Sequence, residues 1–286
     1  MPAIFEPNTH VFGLFEPVCV KPRKPYCPSG QLGILRLISL GDLFVTSPAS
    51  PFSFDLAAAT KHLAATDERL ARLIEETLPF QIDLEDSPSP YETLLESIAY
   101  QSISGKAAAT IFGRVKALSS GAIPKPQKML KLKKSVLRNA GLSGAKIVAM
   151  KDLAQKTIDG VVPTLEQAEK MSDEELVERL VSVRGIGAWT VEMFLIFRLG
   201  RPDVLPVHDL GVKKGWAITY GKKHMPKPKE LLAFAERWRP YRTVASWYMW
   251  RACQRAGNAA MRKIRPAKVR RKRKLSAAKR GSVRRS

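Results

Sequence analysis

Apolar residues divide this chain into three regions. Through residue 52 they keep no period, apart from a short patch from Leu32 to Leu40, and Pro, Gly and Ser are frequent among them. Such a stretch buries too little apolar surface to offset the entropy of ordering, and is expected to be mostly disordered. From Asp55 the spacing becomes helical. Leu56, Ala59 and Leu63, then Leu70, Leu73, Ile74 and Leu78, recur at steps of three and four with charged residues between them. The acidic, proline-bearing run from Asp83 to Pro90 reads as a loop. Helices are then expected over 91–103, 106–118, 144–158, 173–181, 188–199, 210–220, 226–237 and 241–255. Their ends are punctuated: Ser104 and Gly105 interrupt one run, Gly141 closes another before Ser143 opens the next, and Ser172 precedes a first turn of acids. No segment alternates with the period of a strand. The pattern predicts an all-α body of about ten helices, spanning residues 53–258, between an N-terminal extension (1–52) and a disordered tail (259–286).

Two of these helices meet at Arg184-Gly185-Ile186-Gly187. Glycine at both positions lets the backbone turn sharply and leaves the amides at the start of the second helix uncovered, so Gly185, Gly187 and Thr190 can present N–H groups to an anion. A Gly-x-Gly turn can equally be a plain tight connection. Beyond the second helix runs a Gly/Pro-punctuated loop ending on Asp209, an Asp placed to cap the next helix.

Charge supplies the anion. The chain carries a net +22, and its last 26 residues hold 13 Lys/Arg and no acid, so the body keeps +9. This balance implies a polyanionic partner. No run approaches the roughly 18 apolar residues of a membrane span, and the tail has no basic amphipathic helix with bulky apolar anchors. That favours nucleic acid over a membrane. Within the tail, Arg270-Arg271-Lys272-Arg273-Lys274 suits a nuclear localisation signal, a nonspecific DNA arm or a merely solvated charge run; the first implies a nuclear, eukaryotic protein. Glu6 and Glu16 oppose a transit peptide, and no secretory signal is recognisable. Three scattered cysteines, Cys19, Cys27 and Cys253, fit a reducing compartment without a disulfide framework. No His/Cys cluster has metal-ligand spacing.

Three motifs in order, G-I-G-A-W-T (185–190), R-P-D-V-L-P-V-H-D-L-G (201–211) and R-W-R-P-Y-R-T-V-A-S-W-Y-M-W (237–250), resemble the helix-hairpin-helix (HhH-GPD) superfamily of DNA glycosylases. Within it they look most like the 3-methyladenine DNA glycosylase II, or AlkA-type, branch. The resemblance spans roughly Asp55 to Ala256 and implies a two-lobed helical fold with the hairpin at the lobe junction. The four-cysteine set that holds an iron–sulfur cluster in another branch is missing, so no cluster is expected. The mixed α/β domain that precedes this module in some bacterial relatives has no room here.

The resemblance makes Asp209 the candidate catalytic residue. Cleaving an N-glycosidic bond develops positive charge on the sugar, which a nearby carboxylate stabilises while it orients water. Capping a helix and catalysing are compatible, since a cap is rigidly placed. Asp203, in the same loop, matches a non-catalytic position, and His208 is expected to be only a neighbour. In superfamily members that also cut the backbone, a lysine stands where this chain has Trp189, so a monofunctional enzyme is implied. Trp189, Met193 and Trp250 are candidates for the base pocket, with Trp247 or Tyr241 as further possibilities; electron-rich rings attract a cationic alkylated purine such as 3-methyladenine or 7-methylguanine. Helix spacing alone would make Trp247 and Trp250 core residues, and the resemblance singles out Trp250.

The family also supplies, from the break between its early helices, a side chain that fills the gap left by a flipped base. Here the segment is Gln101-Ser102-Ile103-Ser104 with one family glutamine missing, making Ser102 and Ile103 candidates beside the plainer reading of a helix break. Lys146 falls at a family lysine but is expected to be a solvated charge. In relatives a monovalent cation is held by hairpin carbonyls, which by position are those of Val181, Val183 and Gly185; it is structural, and no cofactor is required. The expected partner is double-stranded DNA with alkylated bases, bound by a monomer. The alternative from another class is a noncatalytic helix-hairpin-helix protein that binds DNA or chromatin, and a glycosylase with lyase activity is a third.

Overall fold

The computed structural model describes residues 52–77 and 79–266. The extension through residue 51 with Cys19 and Cys27, Leu78, and the tail from residue 267 with Arg270–Lys274 lie outside the described residues. Among those described, thirteen α-helices form and no strand does, as the missing alternation predicts.

The chain opens with α1 (Leu56–Thr66) and α2 (Glu68–Glu75), crosses to α3–α10, and returns. Asp55 caps α1 and Asp67 caps α2 through their carboxylates. The crossing begins at α3 (Pro90–Tyr100), opened by Ser89 with Pro90 in its first turn, and α4 (Gly105–Ala117), opened by Ser104. After the short α5 (Pro126–Lys131) and α6 (Lys134–Asn139) comes α7 (Gly144–Ile158), against which α3, α5 and α6 pack. Next are α8 (Leu165–Lys170) and α9 (Asp173–Val181), each opened by a capping box, and α10 (Ala188–Phe197), which packs on α9 and α3. On its return the chain forms α11 (Leu210–Thr219), α12 (Pro228–Ala235) with a 3-10 turn over Glu236–Trp238, and α13 (Arg242–Lys263). These pack with α1 and α2 as a second lobe.

Two contacts define that second lobe. Asp67, buried, accepts from Leu70 N at 3.1 Å, the Tyr220 hydroxyl at 2.5 Å and Trp238 Nε1 at 3.2 Å, pinning the α1–α2 corner to the returning chain. Gly215 on α11 lies so close to α13 that a Cβ there would stand 1.9 Å from the Met249 carbonyl oxygen. The lobes meet along α10, whose residues Thr190, Val191 and Met193–Ile196 are buried. A helix apolar on nearly every side belongs between layers.

Several boundaries differ from expectation. The helices α5, α6 and α8 have six residues each, too few turns to show a period. α3 stops at Tyr100 rather than residue 103, because Ser102 adopts a left-handed conformation (φ 59°) and Ser104 starts the next helix. Lys146 is not a solvated charge: its Nζ donates to the Ala99 carbonyl at 2.7 Å, closing the end of α3, and burial lowers its pKa. At the far end α13 passes residue 258, broken at Gly257 (φ 68°), and Arg265 exchanges backbone hydrogen bonds with Lys223 and Met225. The helical body therefore extends into the stretch that composition assigns to the tail.

Candidate active site

Asp209 is the N-cap of α11, and three N–H groups from three elements converge on it. Its Oδ1 accepts from Val212 N at 2.7 Å and from Trp250 Nε1 at 2.9 Å; its Oδ2 accepts from Trp189 Nε1 at 2.9 Å. The cap bond fixes the carboxylate to α11, while the indoles tie it to α13 and α10. Room for this depends on Gly211, where a Cβ would fall 2.7 Å from Trp250 Cδ1 and 3.1 Å from Asp209 Oδ1. Phe197, at the end of α10, stacks on the Trp250 ring with centroids 5.7 Å apart and planes 19° from parallel. Met193 is buried one helical turn beyond Trp189.

Three further titratable groups surround the carboxylate. Burial, and after it the charge of Asp209, raise the Glu192 pKa to about 7; its Oε2 is buried and has no hydrogen-bond partner among the described residues. Burial lowers the Lys213 pKa while Asp209 works against it. Cys253 donates Sγ–H to the Gly211 carbonyl at 3.2 Å, and burial pushes its thiol up to about 12. A thiol so placed is unreactive.

The hairpin turn sits beside this centre. Gly185 has φ 81°, and a Cβ there would meet Ala149 Cβ at 2.9 Å, so this position requires glycine. The turn is anchored by Arg184 N donating to Asp152 Oδ2 at 2.7 Å and by Gln101 Nε2 donating to the Gly185 carbonyl at 2.9 Å. Of the amides expected to face an anion, Thr190 N is already used, donating to Gly187 O at 2.9 Å as α10 begins with a tight turn. The amides of Gly185, Gly187, Ala188 and Trp189 make no hydrogen bond within the described residues. Lys134 and Arg184 line a cleft of about 420 Å³ next to Gly185 and the start of α7, adding positive charge to that surface. Gln101 brings exposed Ser102 and half-exposed Ile103 to the same face. Of the three carbonyls implied for a cation, Val183 O accepts from Ile186 N and Gly185 O from Gln101. Each keeps a second lone pair, and neutral backbone oxygens suit a monovalent ion.

Other candidates fall elsewhere. Trp247 is buried against Phe80 (5.3 Å) and Tyr248 (4.9 Å), a core residue. Tyr241 packs on Phe54 and His62. Asp203 is bound by Arg242 and Arg239, each at 2.7 Å, in a pair of ion bridges that tie the loop to α13 and the turn before it. His208 is exposed. Sequence reasoning passed over Glu192, Phe197, Gly211 and Gln101. Glu192 had a legible signal as the single charged residue in the apolar run A-W-T-V-E-M-F-L-I-F.

A glycine hairpin beside a carboxylate held by paired indoles, at the junction of two helical lobes, defines a helix-hairpin-helix DNA glycosylase. The chain belongs to the HhH-GPD superfamily of base excision DNA repair proteins, whose family model matches residues 95–240. It is 37% identical over 215 residues to DNA-3-methyladenine glycosylase 1 of Schizosaccharomyces pombe, a match covering 74% of this chain and 93% of that one. Among solved structures, S. pombe 3-methyladenine DNA glycosylase (Mag1) in complex with abasic DNA superposes with a TM-score of 0.60 at 38% identity, over 68% of this chain and 95% of that one. A DNA-3-methyladenine glycosidase from Bacillus halodurans gives a TM-score of 0.64 at 36% identity, over 71% and 90% of the two chains.

Proposed function

We propose that this protein is a monofunctional glycosylase that takes alkylated purines of the 3-methyladenine and 7-methylguanine type out of double-stranded DNA and hydrolyses the N-glycosidic bond, leaving an abasic site. The observation that carries this reading is the Asp209 carboxylate held by Trp189 and Trp250. As the bond to the base breaks, the sugar becomes cationic; a carboxylate already oriented by three donors stabilises that charge without reorganising. The partly exposed Trp189 ring can offer a π face to a cationic base, a contact worth up to about 2 kcal/mol when desolvated. Such a base is already a good leaving group.

Flipping it out costs a few kcal/mol. The free amides of Gly185, Gly187, Ala188 and Trp189 grip the backbone phosphate, and Ser102 with Ile103 fills the vacated space. A monovalent cation on the Val181, Val183 and Gly185 carbonyls strengthens that grip. Trp189 offers no amine for a Schiff base, so water is the nucleophile and the strand is not cut. Nuclear import through Arg270–Lys274 completes the proposal.

The test is incubation with alkylated duplex DNA, chromatography of released bases and a separate assay for strand cuts. Asp209→Asn keeps duplex affinity and loses base release. Unchanged release in that variant removes Asp209 from catalysis, and no release by the wild type favours a noncatalytic DNA-binding protein. Borohydride trapping of a covalent adduct would overturn the role given to Trp189.

A further inference from the structure

Hydrolysis of a cationic base leaves Glu192 unused, although α10 carries it into the lobe junction at a cost. It stands three residues after Trp189, on the same side of the helix, and Trp189 is bonded to Asp209. Its Oε2 is shut off from solvent without a partner among the described residues. Among the charged groups on the elements packed here, with Glu92 and Glu96 on α3 and those from Asp173 to Arg179 on α9, it is Asp209 that adds to burial in raising its pKa. The three N–H donors of the site all go to Asp209 and none to Glu192, so of the two carboxyl groups Glu192 is the one whose acid form the surroundings favour. Two carboxyl groups in unlike surroundings, one supplied with donors and one starved of them, divide the work of glycoside cleavage into an electrostatic stabiliser and an acid.

We propose that Glu192 is a second working carboxyl group, the proton donor to the departing base, and that it opens the site to uncharged modified purines. This rests on the reading of Asp209 as the carboxylate that stabilises the sugar cation. As the C1′–N9 bond breaks, its electron pair moves onto the base. The Glu192 O–H bond breaks with it: the proton passes to a ring nitrogen of the base, and the O–H pair stays on the carboxylate. Water adds to C1′ and gives up a proton, which restores the Glu192 acid. A cationic alkylated base leaves as a neutral molecule and needs no such proton, whereas an uncharged purine would otherwise leave as an anion. The burial that raises Glu192 to about 7 keeps the acid form populated near neutral pH.

Single-turnover base release from two duplexes tests this, one carrying 7-methylguanine as the cationic base and one carrying hypoxanthine as the uncharged base. Glu192→Gln is expected to lower hypoxanthine release at least about 100-fold more than 7-methylguanine release, the span of general-acid catalysis. In the wild type, hypoxanthine release falls as pH rises above about 7, and 7-methylguanine release does not share that fall. Equal losses on both substrates, an unaffected hypoxanthine rate, a hypoxanthine profile level through pH 7, or no hypoxanthine release by the wild type each overturn the proposal. The wild-type profile decides even if the variant fails to fold. Asp209→Asn separates the two readings. If it retains 7-methylguanine release, the underlying assignment fails; if it loses release while Glu192→Gln spares hypoxanthine, the Glu192 proposal alone fails.

Discussion

Trp189 Nε1 lies 2.9 Å from Asp209 Oδ2, a bond that joins the second hairpin helix directly to the carboxylate opening α11. The hairpin that the proposed reading sets on the DNA backbone and the carboxylate that it sets at the sugar are thus one hydrogen bond apart. Trp189→Phe removes the donor and keeps a ring. A hydrogen bond to a charged group contributes about 1.5–3 kcal/mol, so base release is expected to fall roughly 10- to 150-fold while duplex binding by fluorescence anisotropy holds. An unchanged rate would show that the bond does not orient Asp209.

Two glycines on α11 separate chemistry from folding. A Cβ at Gly211 presses on Trp250 Cδ1 at 2.7 Å and on Asp209 Oδ1 at 3.1 Å, side-chain atoms that can shift. Gly211→Ala is expected to stay folded and lose about 100-fold in base release, the usual cost of misplacing a catalytic group by about 1 Å. A Cβ at Gly215 strikes the Met249 backbone at 1.9 Å, which cannot retreat. Gly215→Ala is expected to lose about 3 kcal/mol or more. Circular dichroism melts with base-release assays on both variants check the contrast.

Glu192 links stability to pH. Its proton is held more tightly in the folded chain, with a pKa near 7 against the ordinary 4.5. Its contribution to stability is therefore full below about 4.5, declines as pH rises to about 7, and is level above that. The decline is of order 1–3 kcal/mol. Urea denaturation at pH 5 and pH 8 is expected to show the wild type losing ground to Glu192→Gln by that amount. Parallel behaviour of the two would mean the acid is not buried.

Lys146→Met removes the ammonium that closes α3 on the Ala99 carbonyl and leaves that oxygen without its donor. A destabilisation of about 1–3 kcal/mol is expected, read as a lower urea midpoint with unchanged slope. No loss would mean that water replaces the lysine.

Length and caps made part of this fold legible in the sequence. α7, α9, α10 and α11 announce themselves because several turns repeat an apolar step and a Ser, Asp or Gly marks an end. Asp209 was legible as a cap, and it does open α11. Trp247 and Trp250 were not separable by spacing, since both face inward; the resemblance singled out Trp250, and in the structure Phe80 packs on one while the other bonds Asp209. Thr190 was misjudged because an amide at the third helical position is free in a regular α-turn and consumed in a tighter one. Lys146 and Gln101 act on partners 47 and 84 residues away, and no local pattern encodes a partner at that distance.

The contact of Gly215 with the Met249 main chain has a consequence for how lesions are found. With no side chain between them at Gly215, α11 and α13 pack main chain to main chain, and together they carry Asp209 and Trp250. Helices packed that closely deform little, so on the proposed reading more of the adjusting falls to the nucleic acid. Damage that loosens stacking lowers the cost of turning the base out.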